Sequence, residues 1–325
     1  MGIMRILVLG GTVFLGKAIA AEAVRRGHDV VCAARGEGGP VPEGATHVPV
    51  DRNEGLGPLV GQSFDAVVDV ATMSVSWVRD ALRSLDAGHW TFVSSCSVYA
   101  DHATPGGTRT LPPLEDDPTA EKTPDRYGSV KVASENAVRD AHDGALIVRA
   151  GLITGPGDKS DRFGYWANRL SRGGRVAVPD APDQATQHVD VRDLADWIVG
   201  CAENGTGGTF DAIGPANPLS LVLGEIAGAV APQGTELVRV PEAVLQEQEI
   251  VPWSGPRSLP LWLPDSHKAL MFRDAGPVLA AGLRLRPTAE TALASLEHER
   301  DLGLDRQRRA GLSSAEEESL LSALV

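Results

Sequence analysis

Short apolar runs alternate with longer amphipathic stretches from the first residues of this chain. Arg5-Ile6-Leu7-Val8-Leu9 is apolar on both faces, as a strand covered on two sides must be. Val13 to Arg26 then sets Ile19, Ala23 and Val24 at helical spacing and stops at Gly27, a residue suited to a helix C-terminus. Asp29-Val30-Val31-Cys32-Ala33 predicts a second strand and His47-Val48-Pro49-Val50 a third. Asp65 to Val70, Trp90 to Ser94 and Ala145 to Arg149 continue the series. Near-continuous apolar strands separated by helices predict a parallel sheet covered on both faces, a doubly wound α/β fold. Ligands of such sheets bind beyond the carboxyl ends of the strands.

From about residue 151 the pattern loosens into Gly, Pro and Arg, as in Gly155-Pro156-Gly157 and Pro256 to Pro264. We expect a core over residues 1–150 and a smaller lobe over 151–325, with segments of about 185–215 returning to the core. Thr209 to Ile213 reads as a strand rejoining the main sheet. Ser313-Ser314-Ala315-Glu316 is a capping box that opens a last helix through Leu321. The stretch Asp101 to Arg126, rich in Pro, Gly, Thr and acids, is too long for an idle connector.

Composition adds exclusions. With 325 residues, 42 % apolar and 22 % charged, the chain is ordinary for a globular protein with a sizeable core. A formal net charge of −13 argues against general nucleic-acid binding, which needs a basic footprint. Three isolated cysteines (Cys32, Cys96, Cys201) suggest neither a disulfide framework nor a metal site. The run Ile6 to Leu9 is too short for a signal segment or a membrane span, so the expected setting is the cytoplasm.

Two motifs carry chemistry. Leu9-Gly10-Gly11-Thr12-Val13-Phe14-Leu15-Gly16 lies directly after the first strand and opens a helix. Glycines there let backbone N–H groups approach a pyrophosphate at the positive helix end. Tyr127 and Lys131 stand four residues apart and share one face of a helix. A neighbouring cation lowers the pKa of a phenol, and such a pair can trade a proton with a hydroxyl or carbonyl while a hydride moves elsewhere.

These residues, with three further motifs in order over residues 5 to about 213, carry a resemblance. The chain is similar to the extended (atypical) short-chain dehydrogenase/reductases of the NAD-dependent epimerase/dehydratase type. Their TGGTGFLG turn is matched from Leu9 to Gly16, and their Ser-Ser-x-x-Val-Tyr strand end by Ser94-Ser95-Cys96-Ser97-Val98-Tyr99. Their YGxxKxxxE spacing is matched by Tyr127, Lys131 and Glu135, and their GPGD stretch by Gly155 to Asp158 after Arg149. Val189 to Ala195 resembles their HVxDLA stretch.

The resemblance implies a Rossmann-type core with a C-terminal substrate-binding lobe. It implies Ser95, Tyr127 and Lys131 as catalytic residues, Tyr127 being the acid/base. Cofactor contacts are implied at Gly10, Thr12, Val13, Phe14, Leu15, Gly16, Arg35, Asp51, Arg52, Ala71, Tyr127, Lys131 and Leu152. Substrate contacts are implied at Thr72, Ser95, Cys96, Thr154, Gln187 and His188, and no metal is expected. Relatives often dimerise beside the catalytic helix, where Val130, Ala133 and Val138 could equally pack inward.

Three departures shape the functional expectation. Val13 replaces the middle glycine of the turn, which should push the backbone from the pyrophosphate or shift the cofactor. Ala34-Arg35 stands where NAD-preferring members place a carboxylate, so NADP(H) is the expected cofactor and NAD(H) the alternative. Thr186 stands where members acting on nucleotide-diphosphate sugars carry an arginine; Arg162, Arg169, Arg172 and Arg175 are nearby substitutes or a solvated basic face. The Trp253 to Pro264 run is expected in the lobe core rather than along the pocket. The leading expectation is hydride transfer at a secondary alcohol or ketone of a small metabolite. The alternatives are a sugar-nucleotide epimerase or dehydratase with tightly held NAD, and a catalytically silent nucleotide- or RNA-binding relative.

Overall fold

The strand β1 (Arg5–Leu9) sits in the middle of a parallel sheet, between β2 (Asp29–Ala34) and β4 (Ser63–Asp69). The structure, a computed structural model, describes residues 2–71, 73–114 and 124–324. β3 (Thr46–Pro49) pairs with β2 at one edge; β5 (Asp86–Ser95) and β6 (Leu146–Ala150) extend the other. The expected returning strand, Gly208–Ala212, closes that edge against β6 and completes a sheet of seven strands.

Side-chain alternation along β1 explains the two covered faces. Ile6 and Val8 pack with Ile19 of α1 (Phe14–Arg25) and with Leu194 and Ile198 of α5 (Val191–Asn204). Leu7 and Leu9 point the other way, into a cluster with Val78 of α2 (Val75–Ser84) and Val138 of α3 (Pro124–Ala141). Each such fully buried side chain contributes about 1.5–3 kcal/mol, so a charge on either face of β1 would be costly. Val130 and Ala133 pack against Val75, so all three of these apolar residues of α3, Val138 included, are turned inward.

A separate apolar cluster forms in the C-terminal part, around Phe163, Trp166, Leu223, Leu261, Trp262 and Leu320. The Trp253 to Pro264 run enters it through Leu259, Leu261, Trp262 and Leu263. The last helix, Ser314–Ser322, opens with the capping box expected at Ser313 and Glu316. The basic segment of α4 (Arg162–Ser171) is less solvated than its composition suggests: Arg169 pairs with Glu317 and Arg172 with Asp305. Among the described residues no helix is long and apolar enough to cross a membrane, and no group of His, Cys, Asp or Glu is arranged to hold a metal ion.

Candidate active site

The carboxyl ends of β1, β2, β4 and β5 open into a cleft of about 640 Å³. Its floor is the turn between β1 and α1. A Cβ on Gly10 would meet Val70 Cγ2 at 2.5 Å, and one on Gly16 would meet the Gly10 carbonyl oxygen at 2.4 Å. Only glycines allow helix and strand to approach this closely. The cap residue Val13 offers no side-chain hydrogen bond, and the first turn of α1 holds no acid. The free N–H groups and the positive end of the helix are therefore left to an anion. On that geometry the residues fit a dinucleotide pyrophosphate.

Val13 narrows the fit. Its side chain lines the cleft and is 38 % exposed. A Cβ on Gly38 would meet Val13 Cγ2 at 2.3 Å, so the loop after β2 lies directly on the residue that replaces glycine. The next residue, Phe14, has a φ of 39°, in the left-handed region that non-glycine residues rarely occupy.

All but one of the expected cofactor contacts converge on this cleft: Gly10, Thr12, Val13, Phe14, Leu15, Gly16, Arg35, Asp51, Arg52, Ala71, Tyr127 and Lys131. Leu152 does not. Its side chain joins the C-terminal cluster, and Ile153 beside it lines the cleft instead. Arg35 is exposed and lies 3.1 Å from Glu37. Arg52 is committed inward, donating to both oxygens of the buried Asp69 at 2.6 and 3.0 Å and to the Trp77 carbonyl. Trp77 also lines the cleft, a wall no motif announced.

The chemical end joins two elements. Ser95 ends β5, while Tyr127 and Lys131 lie on α3, as the four-residue spacing requires. Ser95 hydrogen-bonds the Tyr127 phenol, and the Lys131 ammonium lies 5.8 Å from the phenol ring centroid. Lys131 is buried; its Nζ donates to the Val93 carbonyl at 2.6 Å and to the Ala71 carbonyl.

The electrostatics differ from the sequence expectation. Burial pushes the Tyr127 phenol above its ordinary value, and the Ser95 hydrogen bond opposes this only in part. Burial likewise pulls the Lys131 amine down to about 8, against the attraction of Asp69 and Glu135. The expected lowering of the phenol by its neighbour is thus outweighed: the ammonium is aimed at two carbonyls and is itself near its titration point.

The expected substrate contacts divide. Ser95 lines the cleft, whereas Thr72 lies outside the described residues. Cys96 is buried and donates its thiol to the Arg149 carbonyl. Thr154 is buried between His188 Nδ1 and the Val189 carbonyl. Gln187 is consumed entirely: its amide donates to the Gly214 and Arg273 carbonyls and accepts from the Arg273 N–H. His188 is held between Thr154 and Thr288 and packs on Phe163 at 5.3 Å. None of these four side chains lines the cleft; Gln187 and His188 tie into the C-terminal part, while Cys96 bonds back to β6. Thr186, at the position of the missing arginine, is buried with its hydroxyl unpartnered.

The comparisons with known proteins agree with this geometry. The model of the NAD dependent epimerase/dehydratase family matches residues 62–212. A search of curated proteins finds no match. Among solved structures, the chain is similar to the Bordetella bronchiseptica enzyme WbmH in complex with NAD+, at 16 % identity and a TM-score of 0.66, over 93 % of this chain and 100 % of that one. A putative epimerase from Burkholderia cenocepacia J2315 gives 20 % identity and 0.63, over 91 % and 98 %. UDP-glucose 4-epimerase from Thermotoga maritima, with UDP-glucose, gives 16 % and 0.62, over 92 % and 99 %. At these identities the structural likeness speaks for the fold, and the match over residues 62–212 speaks for the family. On that match residues 62–212 of the chain are similar to the NAD dependent epimerase/dehydratase family.

Proposed function

We propose that the protein is a nicotinamide-dinucleotide oxidoreductase that works at a secondary alcohol or ketone of a small metabolite. The observation that carries this reading is the convergence of Ser95, Tyr127 and Lys131 on the mouth of a cleft whose floor is an uncapped, glycine-lined helix start. The turn from Gly10 to Gly16 would hold the pyrophosphate, and Trp77 and Asp51 the adenine side. A bound nicotinamide supplies or accepts the hydride. Tyr127 does the proton work. Its phenol, raised further by burial, is protonated near neutral pH and is placed to donate to a ketone oxygen. Ser95 orients that oxygen, and Lys131 steadies the phenolate left behind.

Tyr127→Phe should lower turnover by about three orders of magnitude or more while leaving cofactor affinity within about twofold. A fully active variant, read with NADPH and a ketone panel, refutes the assignment.

Arg35 supports a preference for NADP(H), because a guanidinium can clasp a 2′-phosphate. Glu37, 3.1 Å away, returns a carboxylate to the neighbourhood and moderates that preference. Arg35→Met should weaken NADPH binding about tenfold and leave NADH binding unchanged. Tighter binding of NADH than NADPH by the unaltered protein removes the preference.

A second reading, sugar-nucleotide epimerase or dehydratase, is favoured by the solved relatives, one of which is named as a UDP-glucose 4-epimerase. Thr186 weighs against it, since no bidentate cation stands at that position. An epimerase should purify with NAD bound and show no net consumption of cofactor. A reductase should consume NADPH in proportion to product.

A further inference from the structure

Behind the cleft, one turn along α3 from Lys131, Glu135 is buried with no exposed surface. Its carboxylate collects four donors. Ser94 Oγ donates at 2.6 Å and Arg149 Nε at 3.0 Å to one oxygen; Arg139 Nη2 at 2.8 Å and Arg149 Nη2 at 2.7 Å donate to the other. Ser94 precedes Ser95 on β5, and Arg149 lies on β6. Glu135 therefore ties the helix that carries Tyr127 and Lys131 to the ends of the two strands beside them.

We infer that Glu135 is a positioning residue for the proposed catalytic centre, fixing both the aim and the charge of Lys131. The aim follows from the geometry. Lys131 Nζ reaches the Val93 carbonyl, one residue before Ser94. A helix released from Ser94 and Arg149 would carry the ammonium away from that carbonyl and from Tyr127. The charge follows from electrostatics. Lys131 is surrounded by the Phe92 ring, the Tyr127 ring and two carbonyls, with no carboxylate among the described residues in direct contact. Two carboxylates act from farther off: Asp69 at the end of β4, already matched by Arg52, and Glu135 on the same helix. Arg52 opposes the ammonium, while Arg139 and Arg149 lie on Glu135. Beyond Arg149, Tyr99 accepts from it and donates to Asp211 at 2.7 Å, and Arg273 covers the Tyr99 ring. The donors around Glu135 hold its carboxyl below the ordinary value, so it remains ionised over the pH range in which Lys131 titrates.

This inference rests on the proposed role of Lys131, and it can be tested without turnover. The chain has five lysines, so protein labelled with 13C at lysine Cε gives few signals, and Lys131→Met identifies the one of interest. The expected midpoint of Lys131 in the unaltered protein is about 8. Glu135→Gln should lower that midpoint by about one pH unit, and the alkaline limb of kcat/KM should move with it. Arg139→Gln removes a 40 % exposed cation from the same carboxylate, spares the buried Arg149 bond, and should move the midpoint upward. The second variant keeps the test open if the first fails to fold. An unchanged midpoint in folded Glu135→Gln overturns the inference, as does a shift of the same sign in both variants. An active Tyr127→Phe would instead refute the catalytic reading and leave the lysine titration standing.

Discussion

Two buried charge clusters in this molecule are built on opposite rules. In the C-terminal part, Asp161 and Glu299 meet Arg306, Glu299 also meets Arg308, and Glu317 meets Arg169, so each charge has an opposite charge in contact. At the cleft, Lys131 is equally buried, yet its contacts are two carbonyl oxygens and two aromatic faces. The first arrangement compensates desolvation with direct pairing; the second leaves part of it uncompensated. Clusters of the first kind lock loops in place. A lone ammonium beside a buried phenol stores free energy that becomes useful once negative charge appears on the phenol oxygen.

The comparison breaks most sharply at Glu299. Two arginines share this carboxylate, and a Cβ on Gly164 would strike it at 2.5 Å, so the surroundings are too tight for water to replace it easily. Glu299→Ala strands Arg308 without a counter-charge and should cost about 3–5 kcal/mol, read as a lowered urea midpoint. A loss no larger than an exposed pair gives, about 1 kcal/mol or less, would mean the cluster is hydrated and the contrast false.

Lys131 should behave in the opposite sense. Its amine titrates near 8 in the folded chain, against 10.5 as the ordinary value. The folded state thus disfavours the charged form; the cost is fully present below pH 8, shrinks as pH rises toward 10.5, and is gone above it. Two and a half pK units correspond to about 3 kcal/mol as an upper bound, reduced by the hydrogen bonds that Nζ makes. Lys131→Met should therefore be more stable than the parent at pH 7, by about 1–2 kcal/mol, and nearly inactive. The stability gap should narrow between pH 8 and 10.5, as urea melts at pH 7 and 9.5 would show. A variant less stable at pH 7 would place Lys131 with the structural charges.

The same division explains what could be read from the chain. The sheet was legible because strands buried on both faces are apolar through their central residues, as β1, β2 and the Ala66–Val68 segment of β4 are. Tyr127, Lys131 and the glycine turn were legible because backbone spacing alone sets their mutual placement. Gln187, His188 and Thr154 were not, because a polar residue near a sheet end reads alike whether it faces a ligand or bonds a neighbouring loop. Here the loop at Arg273 and the helix start at Thr288 claim Gln187 and His188, partners about 86 and 100 residues away in sequence. Trp77 was missed for the converse reason: it occupies a helix start where only the fold shows that β3 and β4 bring it to the cleft.

Val13 offers the finest test, because it sits on the boundary between the fold and the cleft. Its side chain supports the loop through Gly38 and also occupies space beside the helix start where an anion would lie. If its effect on the cleft dominates, Val13→Gly frees the approach to the α1 N–H groups and tightens dinucleotide binding by up to about tenfold, roughly 1.4 kcal/mol. If its support of the loop dominates, the same change loosens Gly36 to Gly38 and weakens binding through Arg35, which precedes that loop, and Glu37 within it. The cleft effect should win. The turn is anchored independently by the Gly10 and Gly16 contacts, whereas the loop carries exposed residues with little to lose. Titration of cofactor fluorescence decides the sign, and a weakening that appears with NADPH but not NADH would assign it to Arg35 and the loop.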